Sequence, residues 1–190
     1  MKKQKGMMIK LDLSKAYDRI NWQYLKKVLE SFGFNNRKIN WIYSLITTPY
    51  FSILVNGTPT KTFNASRGIR QGDPLSQFLF ILAAEGLSRY LKKERIAKKI
   101  KGLRLWGNEL PITHQQFVDD IMLFGKASLK EVRNLKKILD LFAKASGMEI
   151  NKEKSCTFIF NTFYFPGSAL HDSRILLYPC SFPSFHVNLA

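Results

Sequence analysis

Gln115-Gln116-Phe117-Val118-Asp119-Asp120-Ile121-Met122-Leu123-Phe124 is the stretch on which the fold turns. Apolar residues stand on either side of two adjacent acids, which predicts a tight hairpin with the acids at its tip. A further acid in apolar company is Asp12, at the end of Met7-Met8-Ile9-Lys10-Leu11. Met7–Leu13 reads as a buried strand. Like charges in apolar surroundings repel one another, and would bind protons unless cations neutralise them. Carboxylates converging from two strands make a hard oxygen site, suited to Mg²⁺ rather than Zn²⁺. Two such ions about 3.5–4 Å apart can clamp an in-line phosphoryl displacement, one activating a hydroxyl and the other holding a triphosphate and the leaving group. The pair by itself is a weak signal, because paired acids at a hairpin tip are usually solvated turn residues.

Composition narrows the partners. The 190 residues include 30 Lys+Arg against 14 Asp+Glu, a formal net charge of +16. Such a balance points to a polyanion, nucleic acid first and an anionic membrane surface second. With 45% hydrophobic residues a sizeable core is possible, which excludes wholesale disorder. No apolar run approaches the roughly 20 residues of a membrane helix, and no signal-peptide core follows Met1-Lys2-Lys3-Gln4-Lys5. Nuclear or cytoplasmic residence, with no membrane partner, is the expectation. Cys156 and Cys180 lie in no metal-ligand spacing, which fits a reducing compartment.

The rest of the chain alternates helices and strands. Asn21–Phe32 carries Trp22, Leu25, Val28, Leu29 and Phe32 at helical spacing, with Asn21 as N-cap and Gly33 as stop. A second helix spans Arg37–Ile46. Phe51–Val55, Asn56-Gly57 and Thr60–Ala65 read as a hairpin. A Gly-rich loop, 66–73, leads to a long helix from Pro74 to Ala97. Leu129–Ala145 is amphipathic and Gly147 ends it. Met148–Ile150 and Cys156–Phe160 look like two short strands. Hairpins without strict βαβ alternation favour an α+β domain with a mainly antiparallel sheet and packed helices. After Ser155 the character changes: residues 156–190 hold one acid, one base and six of the fifteen Phe. The division is therefore a body of residues 1–160 and an irregular tail of 161–190.

Three segments in order carry a resemblance. Leu11-Asp12-Leu13-Ser14-Lys15-Ala16-Tyr17-Asp18-Arg19-Ile20, then Ser66-Arg67-Gly68-Ile69-Arg70-Gln71-Gly72-Asp73-Pro74-Leu75-Ser76, then Phe117-Val118-Asp119-Asp120 resembles the palm of reverse transcriptases. The wording is most similar to the plant non-LTR (LINE-type) retrotransposon branch, and Ser146–Ser155 looks like the family's next motif. The resemblance implies RNA-directed DNA polymerisation with two Mg²⁺ ions, Mn²⁺ being a substitute, on an RNA template with a DNA primer and dNTPs. It implies that Asp12 and Asp119 bind the metals and that Asp120 is a supporting carboxylate. Leu13 would offer its backbone to the triphosphate. Tyr17 matches the aromatic gate that excludes a ribose 2′-OH. Gln71 and Gly72 match the segment against the incoming nucleotide, and Arg70 could touch phosphate or template. Lys154 matches a lysine proposed to protonate the leaving pyrophosphate.

Other residues take blander readings. Asp18 reads as a local cap or salt-bridge partner, Asp73 as a helix-start acid and His114 as structural. Trp22, Trp41 and Trp106 read as core or helix-packing residues. Lys92–Lys101 holds six basic residues in ten and reads as a solvated face that could also track a phosphate backbone. Gln77 stands where the family usually has proline, and Val118 where this branch often has alanine.

The resemblance also implies fingers upstream of Asp12 and a thumb downstream. The chain begins almost at the first catalytic strand, and Asn161–Gly167 does not match a primer-grip hairpin, so fingers and thumb are expected to be largely absent. Poor primer extension by the isolated chain follows from that expectation. The alternative to an enzyme is a catalytically inactive retrotransposon remnant, at most a basic nucleic-acid-binding fragment. A metal-dependent nuclease would share the carboxylates but would not explain Tyr17 or the Gln71-Gly72 loop.

Overall fold

A computed structural model describes residues 4–104, 110–117, 119–162 and 176–179. Trp106 and Val118 lie outside the described residues, as does most of the tail. The described chain is α+β, and the strand pairs with a defined register are antiparallel. It divides into two compact units.

The first unit comprises 1–14, 87–141 and 150–190. Its sheet contains β1 (Gln4–Ser14), β6 (His114–Phe117), β7 (Asp120–Lys126), β8 (Glu149–Thr162) and β9 (Leu176–Pro179), in the order β6-β7-β1-β8-β9. Along β1 the residues Met7, Ile9, Leu11 and Leu13 are buried, while Met8, Lys10, Asp12 and Ser14 are half-exposed. The expected buried strand thus forms with one face in the core. Period-two alternation sends Lys10 and Asp12 to the opposite face. The two short strands expected after Gly147 are one, β8. Within it the Asn151 side chain accepts the N–H groups of Glu153 (3.1 Å) and Lys154 (3.3 Å), so a local turn is absorbed into a continuous strand. In the tail, Leu176–Pro179 pairs antiparallel with Cys156–Ile159.

The second unit comprises 15–86 and 142–149. It contains the short helix α1 (Ala16–Arg19), α2 (Trp22–Ser31) and α3 (Asn36–Thr47), and two small ribbons. Asn21 caps α2 as its sequence predicts, accepting from Gln23 N at 2.8 Å and Tyr24 N at 3.1 Å. One ribbon pairs β3 (Leu54–Val55) with β4 (Thr58–Pro59) across Asn56-Gly57, both at positive φ. The other pairs β2 (Tyr50–Phe51) with β5 (Phe63–Asn64). Trp22 packs as expected, its indole N–H donating to Gly68 O at 2.6 Å. Trp41 does not: it is 57% exposed, with the Arg37 guanidinium 4.8 Å above its ring. A cation over the π face lets this indole remain in water.

Two helices contribute residues to both units. Helix α4 (Pro74–Ile96) begins at Asp73, whose carboxylate accepts from Leu75 N at 2.9 Å. Helix α5 (Leu129–Ser146) buries Val132, Leu135, Ile138, Leu139 and Phe142 at helical spacing, and Gly147 follows it at φ 76°.

Candidate active site

Strand pairing brings the acids of the first unit together. Asp12 on β1 lies directly opposite Asp120 on β7 in the antiparallel register. Directly paired residues project to the same face with Cβ atoms roughly 4.5–5.5 Å apart, so the two carboxylates are neighbours. Asp119 occupies the turn between β6 and β7, where Phe117 pairs with Asp120, and it is exposed. Leu13 is buried beside Asp12.

Two residues not singled out by sequence reading touch this cluster. Lys10, two positions before Asp12 and on its face, places Nζ 3.3 Å from Asp120 Oδ1. Ser155 on β8 accepts the Asp12 backbone N–H at 3.2 Å and donates its hydroxyl to Asn151 O at 2.6 Å. The spacing Lys10-x-Asp12 was a signal for the first, since alternate strand residues share a face. Nothing local signals the second, because the β1–β8 adjacency joins distant parts of the chain. Lys154, next to Ser155, is exposed. The structure thus assembles Asp12, Asp120 and Lys10 side by side, with Asp119 on the adjoining turn.

The donor chemistry suits a hard divalent cation: carboxylate oxygens, with neither sulfur nor imidazole among the three acids. Among the described residues no group of three or more His, Cys, Asp or Glu side chains is gathered closely enough to hold a metal.

In the second unit, the loop preceding α4 is tied to α1. Ile69 N–H donates to Tyr17 O (2.9 Å) and Gly68 N–H to Ile20 O (2.8 Å). A Cβ at Gly68, where φ is +88°, would stand 2.6 Å from Asp18 O, so this close approach requires glycine. Tyr17 is half-buried, its ring stacked on Phe80 at a centroid distance of 4.7 Å. Gln71 is exposed and donates to Asp18 Oδ1 at 3.3 Å. Asp18 therefore serves the loop rather than capping a helix. Arg70 is exposed and pairs with Asp73 at 3.4 Å. Gly72 adopts φ +85° with open space around its Cα. A cavity of about 530 Å³ joins the apolar Leu45, Phe51 and Phe63 to Arg67, Arg70 and Gln71. The second unit thus gathers Tyr17, Gln71, Gly72 and Arg70 around one loop.

His114 is held at both ring nitrogens, by Ser88 Oγ and Thr113 Oγ1 at 2.8 Å each. That fits the structural reading.

Comparison with known proteins identifies the family and the fold. A family model described as reverse transcriptase (RNA-dependent DNA polymerase) matches residues 1–174. The chain is 30% identical over 147 residues to the Retrovirus-related Pol polyprotein from type-2 retrotransposable element R2DM of Drosophila melanogaster, a match covering 77% of this chain and 13% of that protein. It is 41% identical over 71 residues to an uncharacterized mitochondrial protein of Arabidopsis thaliana, covering 37% of this chain and 58% of that one. A structure of telomerase from Candida tropicalis, in complex with a fragment of telomeric RNA, matches with a TM-score of 0.60 at 19% identity, covering 82% of this chain and 26% of that chain. At that identity the likeness shows the fold. The chain spans between 11% and 58% of the lengths of the curated relatives it matches. The match over residues 1–174 shows that the chain belongs to the reverse transcriptase (RNA-dependent DNA polymerase) family.

Proposed function

We propose that residues 1–160 are the palm of a non-LTR retrotransposon reverse transcriptase of the plant LINE-type branch. The palm catalyses addition of dNTPs to a DNA primer 3′-OH on an RNA template; of nuclear and cytoplasmic residence, nuclear action would fit an element copying itself at its target DNA. The observation that carries the reading is the Asp12–Asp120 register with Asp119 on the adjoining turn, within a chain of the family.

Asp12 and Asp119 would hold two Mg²⁺ ions, with Mn²⁺ as a substitute. When bound, the ions supply a lowered pKa at the primer hydroxyl and charge neutralisation at the leaving pyrophosphate. Asp120, paired with Lys10, supports the site and need not be a direct ligand. The backbone at Leu13 lies against the triphosphate, and Tyr17 excludes a ribose 2′-OH, its ring backed by Phe80. Gln71 offers its amide to sugar or phosphate, Gly72 lets the backbone approach the nucleotide closely, Arg70 meets phosphate or template, and Lys154 gives a proton to the leaving group. Support for the nucleotide-binding set comes from the cavity that Arg70 and Gln71 line.

The test is Mg²⁺-dependent binding and incorporation of labelled dTTP on poly(rA)/oligo(dT). The isolated chain is expected to bind dTTP with the metal and to extend the primer weakly, both lost in Asp12→Asn and Asp119→Asn. Incorporation that survives both substitutions would move the chemistry to other groups. Neither binding nor incorporation in the unaltered chain would favour a catalytically inactive remnant.

A further inference from the structure

The first unit carries a second charged feature away from its acids. Lys92–Arg104, the end of α4 and the loop after it, holds seven basic residues and one acid, Glu94. Lys126–Lys137, the end of β7 and the start of α5, holds five basic residues and one acid, Glu131. Both acids are turned inward: Glu94 is 7% exposed and Glu131 is 4% exposed. Glu94 is neutralised by Lys99 at 2.8 Å. Glu131 accepts the N–H groups of Lys101 (2.7 Å) and Gly102 (3.1 Å), and Asn134 donates to Lys99 O at 2.7 Å. These bonds fasten the first basic segment onto the first turns of α5. Lys98, Lys101, Lys126, Lys130, Arg133 and Lys137 are all exposed around the fastening.

The six cations come from two separate segments, which one buried carboxylate, Glu131, and one amide, Asn134, join, while Glu94 is tied back to Lys99 within its own segment. A merely solvated helix face would scatter its acids among its bases. Here the acids are withdrawn and the outward charge has one sign. The patch also sits at the far end of the sheet from the acid cluster. Gly6 pairs with Lys126 and Asp12 with Asp120, six residues further along β1. At 3.4 Å per residue that is about 20 Å.

We propose that this surface binds the phosphate backbone of a nucleic-acid duplex, without reading sequence, at a location distinct from the site of nucleotide addition. Lysine predominates, and it acts on phosphate as a point charge. The two basic segments carry no aromatic residue, and Tyr90, within electrostatic reach of Lys99, is half-buried, so among the described residues the patch offers no run of exposed rings on which unpaired bases could stack. A double helix, with its bases already stacked, is the partner that fits. The proposal goes beyond nucleotidyl transfer and does not depend on it.

Salt titration of binding to a 20-base-pair RNA duplex and a DNA duplex of the same sequence tests it. Each phosphate neutralised contributes about 0.9 to the slope of log K against log[salt]. Replacing Lys101, Lys130 and Arg133 by Gln is expected to lower that slope by about 2–3 on both duplexes. The same charge removed elsewhere, by Lys27→Gln, Lys38→Gln and Lys61→Gln, should change it by less than about 1. Lys98→Arg, Lys101→Arg and Lys130→Arg together keep the charge and should keep the slope, which separates lost contact from lost folding. Asp12→Asn should leave duplex binding unchanged, so a failed polymerase reading and a failed patch reading are distinguishable. Equal losses from the patch and control triples would overturn the proposal in favour of net charge alone. No loss from the patch triple would overturn it outright. So would loss of binding to phosphatidylserine vesicles with duplex binding intact, which would make the patch a membrane surface.

Discussion

Tyr17 lies flat on Phe80: the ring planes are 8° apart and the centroids 4.7 Å apart. Phe80 is buried on α4 with 1% exposure, so the tyrosine ring rests on a surface that cannot yield. A gate defined by sterics needs such a backing, because a ring free to turn excludes little. Tyr17→Ala is expected to raise ribonucleotide over deoxynucleotide binding by tenfold or more, about 1.4 kcal/mol or above. Phe80→Leu should act in the same direction more weakly. Competition between dTTP and UTP in an equilibrium binding assay checks both, and unchanged selectivity in Tyr17→Ala would remove the gate role.

Lys10 gives Asp120 a counter-ion before any metal arrives. The two side chains are 43% and 41% exposed, so solvent screens the pair and its worth is about 1 kcal/mol or less. Its effect on a neighbouring dication is repulsive. Lys10→Met should therefore tighten Mn²⁺ binding roughly two- to fivefold, as read by electron paramagnetic resonance titration. Weaker binding in the variant would show that Lys10 organises the carboxylates more than it competes with the ion.

Tyr24 donates its hydroxyl to Ala83 O at 2.8 Å, and burial pushes its pKa from the usual 10.0 up to about 12. The folded state thus favours the neutral phenol. That contribution to stability is fully present below pH 10 and is lost as pH rises through 12. Loss of about 2–3 kcal/mol across this window is expected. Denaturant melts from pH 9 to 12 should show a steeper alkaline decline in the unaltered chain than in Tyr24→Phe. Parallel curves would mean that Tyr24 is not the group titrating.

Glu131 is an acid whose role is to hold a loop. Removing it leaves the N–H groups of Lys101 and Gly102 without their acceptor. Glu131→Ala should cost about 2–4 kcal/mol in urea unfolding, and Glu131→Gln, which keeps one acceptor oxygen, about half that. Equal stability of all three proteins would place the loop's anchorage elsewhere.

Gly86 faces the Tyr24 hydroxyl, and a methyl group there would collide with it. Gly86→Ala would gain helix propensity but force Tyr24 away from Ala83, for a net loss of about 1–3 kcal/mol. Combining it with Tyr24→Phe should recover part of the loss, and a thermal melt of the double variant measures how much.

Local signals read directly from the chain wherever the cause is itself local. Asn21 caps a helix because its side chain reaches N–H groups two and three residues on, whatever the rest of the chain does. Asn56-Gly57 turns because both residues tolerate positive φ. The apolar spacing of α5 marks its buried stripe without reference to what covers it. The pairing of Asp12 with Asp120 depended instead on antiparallel register between strands far apart in sequence. The motifs supplied the residue types but not that registration. Alternation along β1 puts Lys10 on the face of Asp12, but Ser155 beneath Asp12 and Glu131 under Lys101 carry no local signal, because each is an ordinary residue in its own segment. Sequence alone therefore determined the helix ends, the turns and the family. Tertiary structure decided which charges meet, because side chains from separate strands become neighbours only when backbone hydrogen bonds set the register.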